Sequence, residues 1–450
     1  KEDRKTRKLR AGALAVVSAA ALALAGCTGG SSGNSDSDGQ ITINYWGFEG
    51  GTTTETAKKV ISDFEAAHDN VKINAVVMDT ADFDMKLPST LGTDSGPDIV
   101  YTGTEPNHLG RYVNVGQVSN LSDVWEENGW DKLAPSSQER LTYDGDPYAV
   151  GNELETVGLM YNKKIFEKLG LSAPDSLADL ETDMDTILNE GDGITPMILA
   201  CGGPCYAGLH MMHALGYAMI PTADIQNATA DGDGSYDDGQ WVKVLQKFDE
   251  WNQKGYFSAD ASGIPDENHW ASFCSGETAM MVKGPWMFSA MSDCEKENPD
   301  LFEFGFVPFP VEDGLPFQAY VGTGKAWMLS SSLDDNQEKR DLCVELVAAM
   351  TNQDTFKSWI ETDQRFPAME FDGADYELTG PQQDALGIIE KAGENGGAVD
   401  VGFNNSAAET TVWVSGLQGI LAGKQTPEQV IDQLQTQLES DQAAWADAAK

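Results

Sequence analysis

Gln40-Ile-Thr-Ile-Asn-Tyr-Trp46 alternates and is rich in β-branched and aromatic side chains, which reads as a strand that stops at Gly47. Thr52-Thr-Thr-Glu55 follows with the spacing of a capping box, and Ala57, Val60, Ile61 and Phe64 recur behind it at helical intervals. Val71 to Met78 reads as a second strand and Pro97-Asp-Ile-Val-Tyr101 as a third, short one. Strand, helix, strand, helix, strand predicts a parallel α/β sheet, in which loops at the carboxyl ends of the strands line a binding crevice. Trp46 to Gly51 and Tyr101 to Asn107 are such loops.

Upstream of that unit, residues 1–10 are basic and Ala11 to Ala25 are apolar or small, the n-region and h-region of a secretory signal. The apolar stretch is too short to be retained as a membrane span, and no other segment reaches the roughly 18 consecutive apolar residues a span needs. The first residue is Lys, so translation is expected to begin further upstream. The segment ends in Leu24-Ala25-Gly26-Cys27, which resembles the bacterial lipobox. The resemblance implies cleavage before Cys27 and a diacylglycerol on its thiol; the alternative is an ordinary signal in which Cys27 is incidental. Thr28 to Gln40 lacks apolar side chains and is rich in Gly, Ser and Asp, a flexible tether that places the folded body on the order of 20 Å from the lipid. Everything after Gln40 is expected to be extracytoplasmic, held at the cell membrane through the lipid only.

A length of 450 residues suits two or three domains, and 41% apolar residues with 11 Trp, 12 Tyr and 17 Phe suffice to bury real cores. Charge excludes more: 29 Lys+Arg against 72 Asp+Glu give −43, a field that repels phosphate backbones and anionic headgroups. Nucleic acid is not an expected partner, and neither is a bare membrane surface. The oxidising compartment permits disulfides among the five cysteines beyond Cys27. Cys201-Gly-Gly-Pro-Cys205 closes a tight loop through turn-forming residues, and Cys274 and Cys294 flank one further segment, so 201–205 and 274–294 is the preferred pairing. A metal or redox role for the Cys201/Cys205 pair is the alternative, but the spacing misses C-x-x-C and no second ligand pair stands nearby. Cys343, within an apolar pattern, reads as a buried thiol.

A second α/β rhythm begins near Leu154 with Val157-Gly-Leu-Met-Tyr161 and a helix through Phe166 closed by Gly170. It continues through Thr195 to Ala200, helices from Tyr206 and over Trp241 to Trp251, and strands at Phe304 to Pro310 and Ala326 to Ser330. The last helix has Thr426 as cap, Pro427 at its first position, and Val430, Ile431, Leu434 and Leu438 on one face.

In this order the chain resembles the carbohydrate-type extracellular solute-binding proteins of ABC importers, the maltose-binding-protein-like family. The stretches that carry the resemblance are Ile43 to Trp46, Gly96-Pro-Asp-Ile-Val100, Tyr148-Ala-Val with Met160-Tyr-Asn-Lys163, Val321-Gly-Thr-Gly and Gly423-Lys-Gln-Thr-Pro. The specific one is Phe273-Cys-Ser-Gly-Glu-Thr-Ala-Met-Met-Val-Lys-Gly-Pro-Trp286. The resemblance implies an α/β, two-lobe periplasmic-binding-protein-like fold of type II, each lobe discontinuous in sequence, with the ligand in the cleft between the lobes. Residues 1–26 would be the signal and 27–40 the tether; one lobe would comprise 41–153 with 318–366, the other 154–317 with 367–450. It also implies a monomer without cofactor that hands an oligosaccharide to permease subunits and performs no catalysis.

A neutral sugar presents apolar C–H faces and a rim of hydroxyls, so its site needs flat aromatics and polar groups. Trp286, after Gly284-Pro285, matches the family's cleft tryptophan; the competing role is a core Trp. Phe48 and Glu49 sit in the first strand's exit loop, and Thr102 and Glu105 follow the third strand, where the family makes polar contacts. Glu155 corresponds to a ligand acid beside the first lobe crossing, with Glu153 as the alternative. Tyr206 follows the cysteine loop where the family places an aromatic; Thr323 lies in the Val321-Gly-Thr-Gly stretch, and Asn404 precedes a helix near the last crossing. For each of these a structural role competes.

Other motifs carry no chemistry. His210-x-x-His213 lacks an adjacent acid for a metal site. Asp231-Gly-Asp-Gly-Ser-Tyr-Asp-Asp-Gly resembles the opening of a calcium loop, but Tyr236 stands where Gly is needed and Val242 where Glu is needed. Gly322-Thr-Gly324 lacks the Lys-Ser/Thr of a phosphate loop. The rival function is a surface glycoside hydrolase, which needs two carboxylates about 5–10 Å apart across a sugar site; the order of family motifs speaks against it.

Overall fold

β1 (Ile41–Gly47) alternates as its sequence predicts, with Ile43 and Tyr45 buried and Thr42, Asn44 and Trp46 only partly so. This computed structural model describes residues 39–47, 50–78, 80–104, 106–225, 235–237, 239–265, 270–394 and 406–448. Cys27 with most of the tether, Phe48, Glu49, Glu105, Asn404 and the opening of the acidic stretch at Asp231 lie outside them.

β1 pairs in parallel with β2 (Val71–Val77) and with β3 (Ile99–Gly103), as the strand–helix–strand rhythm requires. The connecting helix Glu55–Ala67 starts two residues later than the capping box suggests. Its cap is Thr54, whose hydroxyl accepts from the Ala57 N–H, and the Asp363 carboxylate accepts from the N–H groups of Glu55 and Thr56 at 3.2 Å each. Thr52 is instead buried in the loop.

After the small hairpin of β4 (Thr142–Tyr143) and β5 (Asp146–Pro147), β6 (Ala149–Thr156) joins the first sheet. That sheet is completed by β11 (Val321–Leu329) and β12 (Phe366–Pro367), in the order β12-β6-β11-β3-β1-β2. The sequence placed the late strand at Ala326 to Ser330; the observed strand takes in Val321-Gly-Thr-Gly as well. β11 runs antiparallel to both β3 and β6, so the sheet is mixed rather than wholly parallel.

The second sheet, in the order β10-β7-β9-β8, holds β7 (Gly158–Asn162), β8 (Thr195–Met197), β9 (Thr278–Lys283) and β10 (Phe304–Pro308). Only Val157 separates β6 of the first sheet from β7 of the second. The chain returns between β10 and β11 and crosses again after β12, where the helix Gly380–Glu394 packs on β10.

Core composition follows from this. The first sheet shares one core, including Ile43, Tyr101, Trp130, Trp327 and Trp359. The second sheet is buried on both faces: along β9, Met280 and Val282 point into one core with Phe248 and Trp251, and Met281 points into another with Phe288 and Phe306. A strand buried on both faces needs a continuous apolar run, and Ala279-Met-Met-Val282 provides it. Cys201 is bonded to Cys205 and Cys274 to Cys294, the pairing preferred from sequence, while Cys343 is a buried thiol. Among the described residues no helix is long and apolar enough to cross a membrane.

Candidate functional site

On the first lobe, the β1 exit loop is fixed from beneath. The Tyr45 hydroxyl donates to the Gly51 carbonyl at 2.7 Å and accepts from the indole N–H of Trp327. The Tyr101 ring lies so close to Gly51 that a Cβ there would overlap it. The same ring's hydroxyl accepts from the Asn152 amide at 2.8 Å, and next to it stands Glu153, whose Oε2 is 2.6 Å from Nη1 of Arg365. Burial, then the Glu153 charge, hold the Tyr101 hydroxyl well above the usual tyrosine range.

Glu153 and Glu155 are two residues apart on β6 and so share a face of the sheet. The Glu155 carboxylate rests against Gly324 of β11, leaving no room for a Cβ. Burial first, and Glu153 second, hold its carboxyl well above the usual carboxylate range, against the pull of Lys325 and Arg365. Around Thr323 the polar groups interlock: its hydroxyl pairs with Ser137, its carbonyl accepts from Thr104, and Thr104 accepts from Nε of Arg140 at 2.8 Å. Thr102 is buried on β3 with no hydrogen-bond partner for its hydroxyl.

The second lobe presents a different wall. The Cys201–Cys205 bridge sets Cys205 in the left-handed region (φ 55°), and the helix Tyr206–Met219 starts from it. Tyr206 and His210 are one turn apart, both half-buried. His210 Nδ1 is 3.3 Å from Nζ of Lys283, the buried last residue of β9, and its ring stands 5.3 Å from that of Trp286. Trp286 sits in the 3-10 turn Pro285–Met287 with partial exposure. The turn needs Gly284: a Cβ there would overlap both the Trp286 ring and the carbonyl of Thr156, the neighbour of Glu155. The end of β6 and the start of the Trp286 turn are thus in direct contact.

Of the residues singled out from sequence, Trp286 lies in the turn that Gly284 sets against Thr156, the neighbour of Glu155. The structure puts Thr102 and Thr323 on the adjacent strands β3 and β11, and Tyr206 on the helix that also carries His210. Sequence reasoning missed Arg365, Asn152 and Lys283, and it weighed His210 only as a metal ligand. One signal was available for Arg365: residues 41–450 contain only four arginines, so each is a deliberate placement in an acidic chain.

Residues 59–370 match the family described as bacterial extracellular solute-binding protein. A relative in Pyrococcus horikoshii, described as an uncharacterized ABC transporter extracellular-binding protein, is 25% identical over 301 residues. That match covers 63% of this chain and 65% of the relative, so this chain spans slightly less than two thirds of that protein's length. The maltodextrin-binding protein MdxE of Bacillus subtilis is 22% identical over 323 residues, 71% of this chain and 72% of that one. Among solved structures, a chitin oligosaccharide binding protein superposes with a TM-score of 0.78 over 90% of this chain and 99% of that chain at 20% identity. This likeness is one of fold, and the fold is the two-lobe, type II periplasmic-binding form.

Proposed function

We propose a function on the premise that this chain belongs to the bacterial extracellular solute-binding proteins: it captures an oligosaccharide between its lobes and delivers it to an ABC importer, making and breaking no bond. The observation that carries this reading is the contact between the Trp286 turn and the acid-bearing end of β6. It brings a partly exposed indole to the end of the strand that carries two buried carboxyl groups, and a flat face with a polar rim is what a sugar requires. Names of similar proteins, a maltodextrin-binding protein and a chitin oligosaccharide binding protein, support the ligand class.

In this proposal one lobe comprises 41–153 with 318–366 and the other 154–317 with 367–450. Phe48, Glu49, Thr102, Glu105, Glu155, Tyr206, Trp286, Thr323 and Asn404 line the cleft, and the protein acts as a monomer tethered by lipid on Cys27. Mass spectrometry of the native N-terminus is expected to find a diacylglyceryl cysteine; an unmodified terminus from cleavage elsewhere removes the tether from the proposal.

The cleft itself is tested by calorimetry with maltotriose, raffinose, xylotriose and chitotriose. Trp286→Ala is expected to weaken binding of the tightest of these by about 1–4 kcal/mol, the range for losing a hot-spot aromatic, without unfolding either lobe. The same sugar should reduce the radius of gyration as the lobes close. Normal binding by the variant moves the site elsewhere; smaller products after prolonged incubation would replace the receptor by a hydrolase.

A further inference from the structure

The segment Asp363 to Phe366 touches four different parts of the molecule in four residues. Asp363 caps the helix Glu55–Ala67 that follows the β1 exit loop. Gln364, in the left-handed region at φ 56°, exchanges hydrogen bonds of 2.9 and 3.2 Å with Ser292 on the second lobe's helix Phe288–Glu297. The Arg365 N–H donates to the Trp359 carbonyl at 2.8 Å, and Phe366 enters the core shared by Phe288 and Ile388. The Arg365 backbone is therefore held from both lobes, and its side chain has little freedom left.

That side chain is 13% exposed and ends on Glu153, which is 4% exposed. On its other side is Gly50, at φ 106°, where a Cβ would come within 3.2 Å of a guanidinium nitrogen. One guanidinium thus contacts both the loop after β1 and the acid on β6. Glu155 stands two residues further along β6, on the same face as Glu153, so the line from Arg365 through Glu153 leads to Glu155.

We propose that Arg365 is a positioning residue of the sugar site: locked onto Glu153 and stopped against Gly50, it holds Glu155 in place toward the hydroxyl rim of the bound sugar. This rests on the receptor reading above. The physical reason is electrostatic as much as steric. Two buried acids side by side cannot both ionise without a counter-cation, and a planar guanidinium supplies both the charge and a fixed direction. Among the described residues the other groups in this field are Lys325 beside Glu155, Asn152 and Tyr101 beside Glu153, and Tyr45 behind Tyr101.

The test compares the wild-type mature chain with Arg365→Gln and Arg365→Lys, using the tightest sugar of the panel above. Arg365→Gln is expected to weaken binding about tenfold or more, as loss of a supporting residue behind a ligating group does. Its affinity should also change its pH dependence, because Glu155 loses the cationic pull that Arg365 exerts on its carboxyl. Arg365→Lys, which keeps the cation, should keep the wild-type pH profile with intermediate affinity. A residue that merely stabilised the fold would lower the affinity of both variants at every pH alike, and that result overturns the proposal. A ligand-free arm keeps the two readings apart: carboxyl carbon NMR, assigned with Glu155→Gln, should show Glu155 titrating higher in Arg365→Gln. An unshifted titration overturns the positioning role. Failure of all four sugars to bind the wild type would defeat the receptor reading, and the carboxyl titration would still decide for Arg365.

Discussion

The two lobes solve the same problem with different materials. The first builds one core behind a six-stranded sheet, contains no disulfide among its described residues, and balances its buried acid Glu153 with Arg365. The second wraps a four-stranded sheet on both faces and places one disulfide in each of the two resulting cores. Its buried acid, Glu409, accepts from the Tyr236 hydroxyl. A small sheet divides its apolar side chains between two cores, and covalent closure offsets chain entropy that a divided core covers less well. The lobe with the larger sheet can leave Cys343 as a buried thiol.

The strongest attack on this contrast is to remove the staples. Cys274→Ser with Cys294→Ser opens a loop of sequence separation 20 and is expected to cost about 3 kcal/mol, and the Cys201/Cys205 pair about 2 kcal/mol because its loop is shorter. Hydrogen exchange read by mass spectrometry should rise over β9 and leave β1 and β11 unchanged. An equal rise in all three strands would mean that the lobes unfold as one unit and that the comparison is empty.

A smaller effect comes from Glu409. Burial first, with Asp441 adding to it, pushes its carboxyl up to about 7, although the hydrogen bonds from Tyr236 and the Ser406 cap pull the other way. The folded state therefore holds a proton that the unfolded state releases at the ordinary carboxyl value. This contribution is fully present below about pH 4.5, and it is lost as the pH rises through about 7. Glu409→Gln should remove that loss and stabilise the second lobe at pH 8 by about 1–3 kcal/mol relative to the wild type. Urea titrations at pH 5 and pH 8 check it: a variant with the wild-type pH slope would show that another group carries the proton.

How far the sequence could be read follows the distance over which each feature is decided. β1 to β3 and the helix between the first two were legible because alternation and helical spacing are local. The helix start was not, since Thr52, Thr53 and Thr54 are equivalent as caps until Asp363, more than 300 residues away, reaches over. β11 was read too short because Gly-Thr-Gly suggests a turn, whereas Gly324 is there to admit the Glu155 carboxylate. At the proposed site, Glu155 and Trp286 were singled out through motif order. Arg365 and Lys283 were not, because their partners Glu153 and His210 lie 212 and 73 residues away and no periodicity links them.

The single residue between β6 and β7 has a mechanical consequence. A joint one residue long permits swivel but almost no slide, so a rotation centred at Val157 displaces atoms in proportion to their distance from it. Glu155 lies two residues from that pivot, and Gly158, on the other side, pairs with Lys283, three residues before Trp286. In the proposed closure, acid and indole sit near the axle, while atoms further from Val157 travel the longer arc.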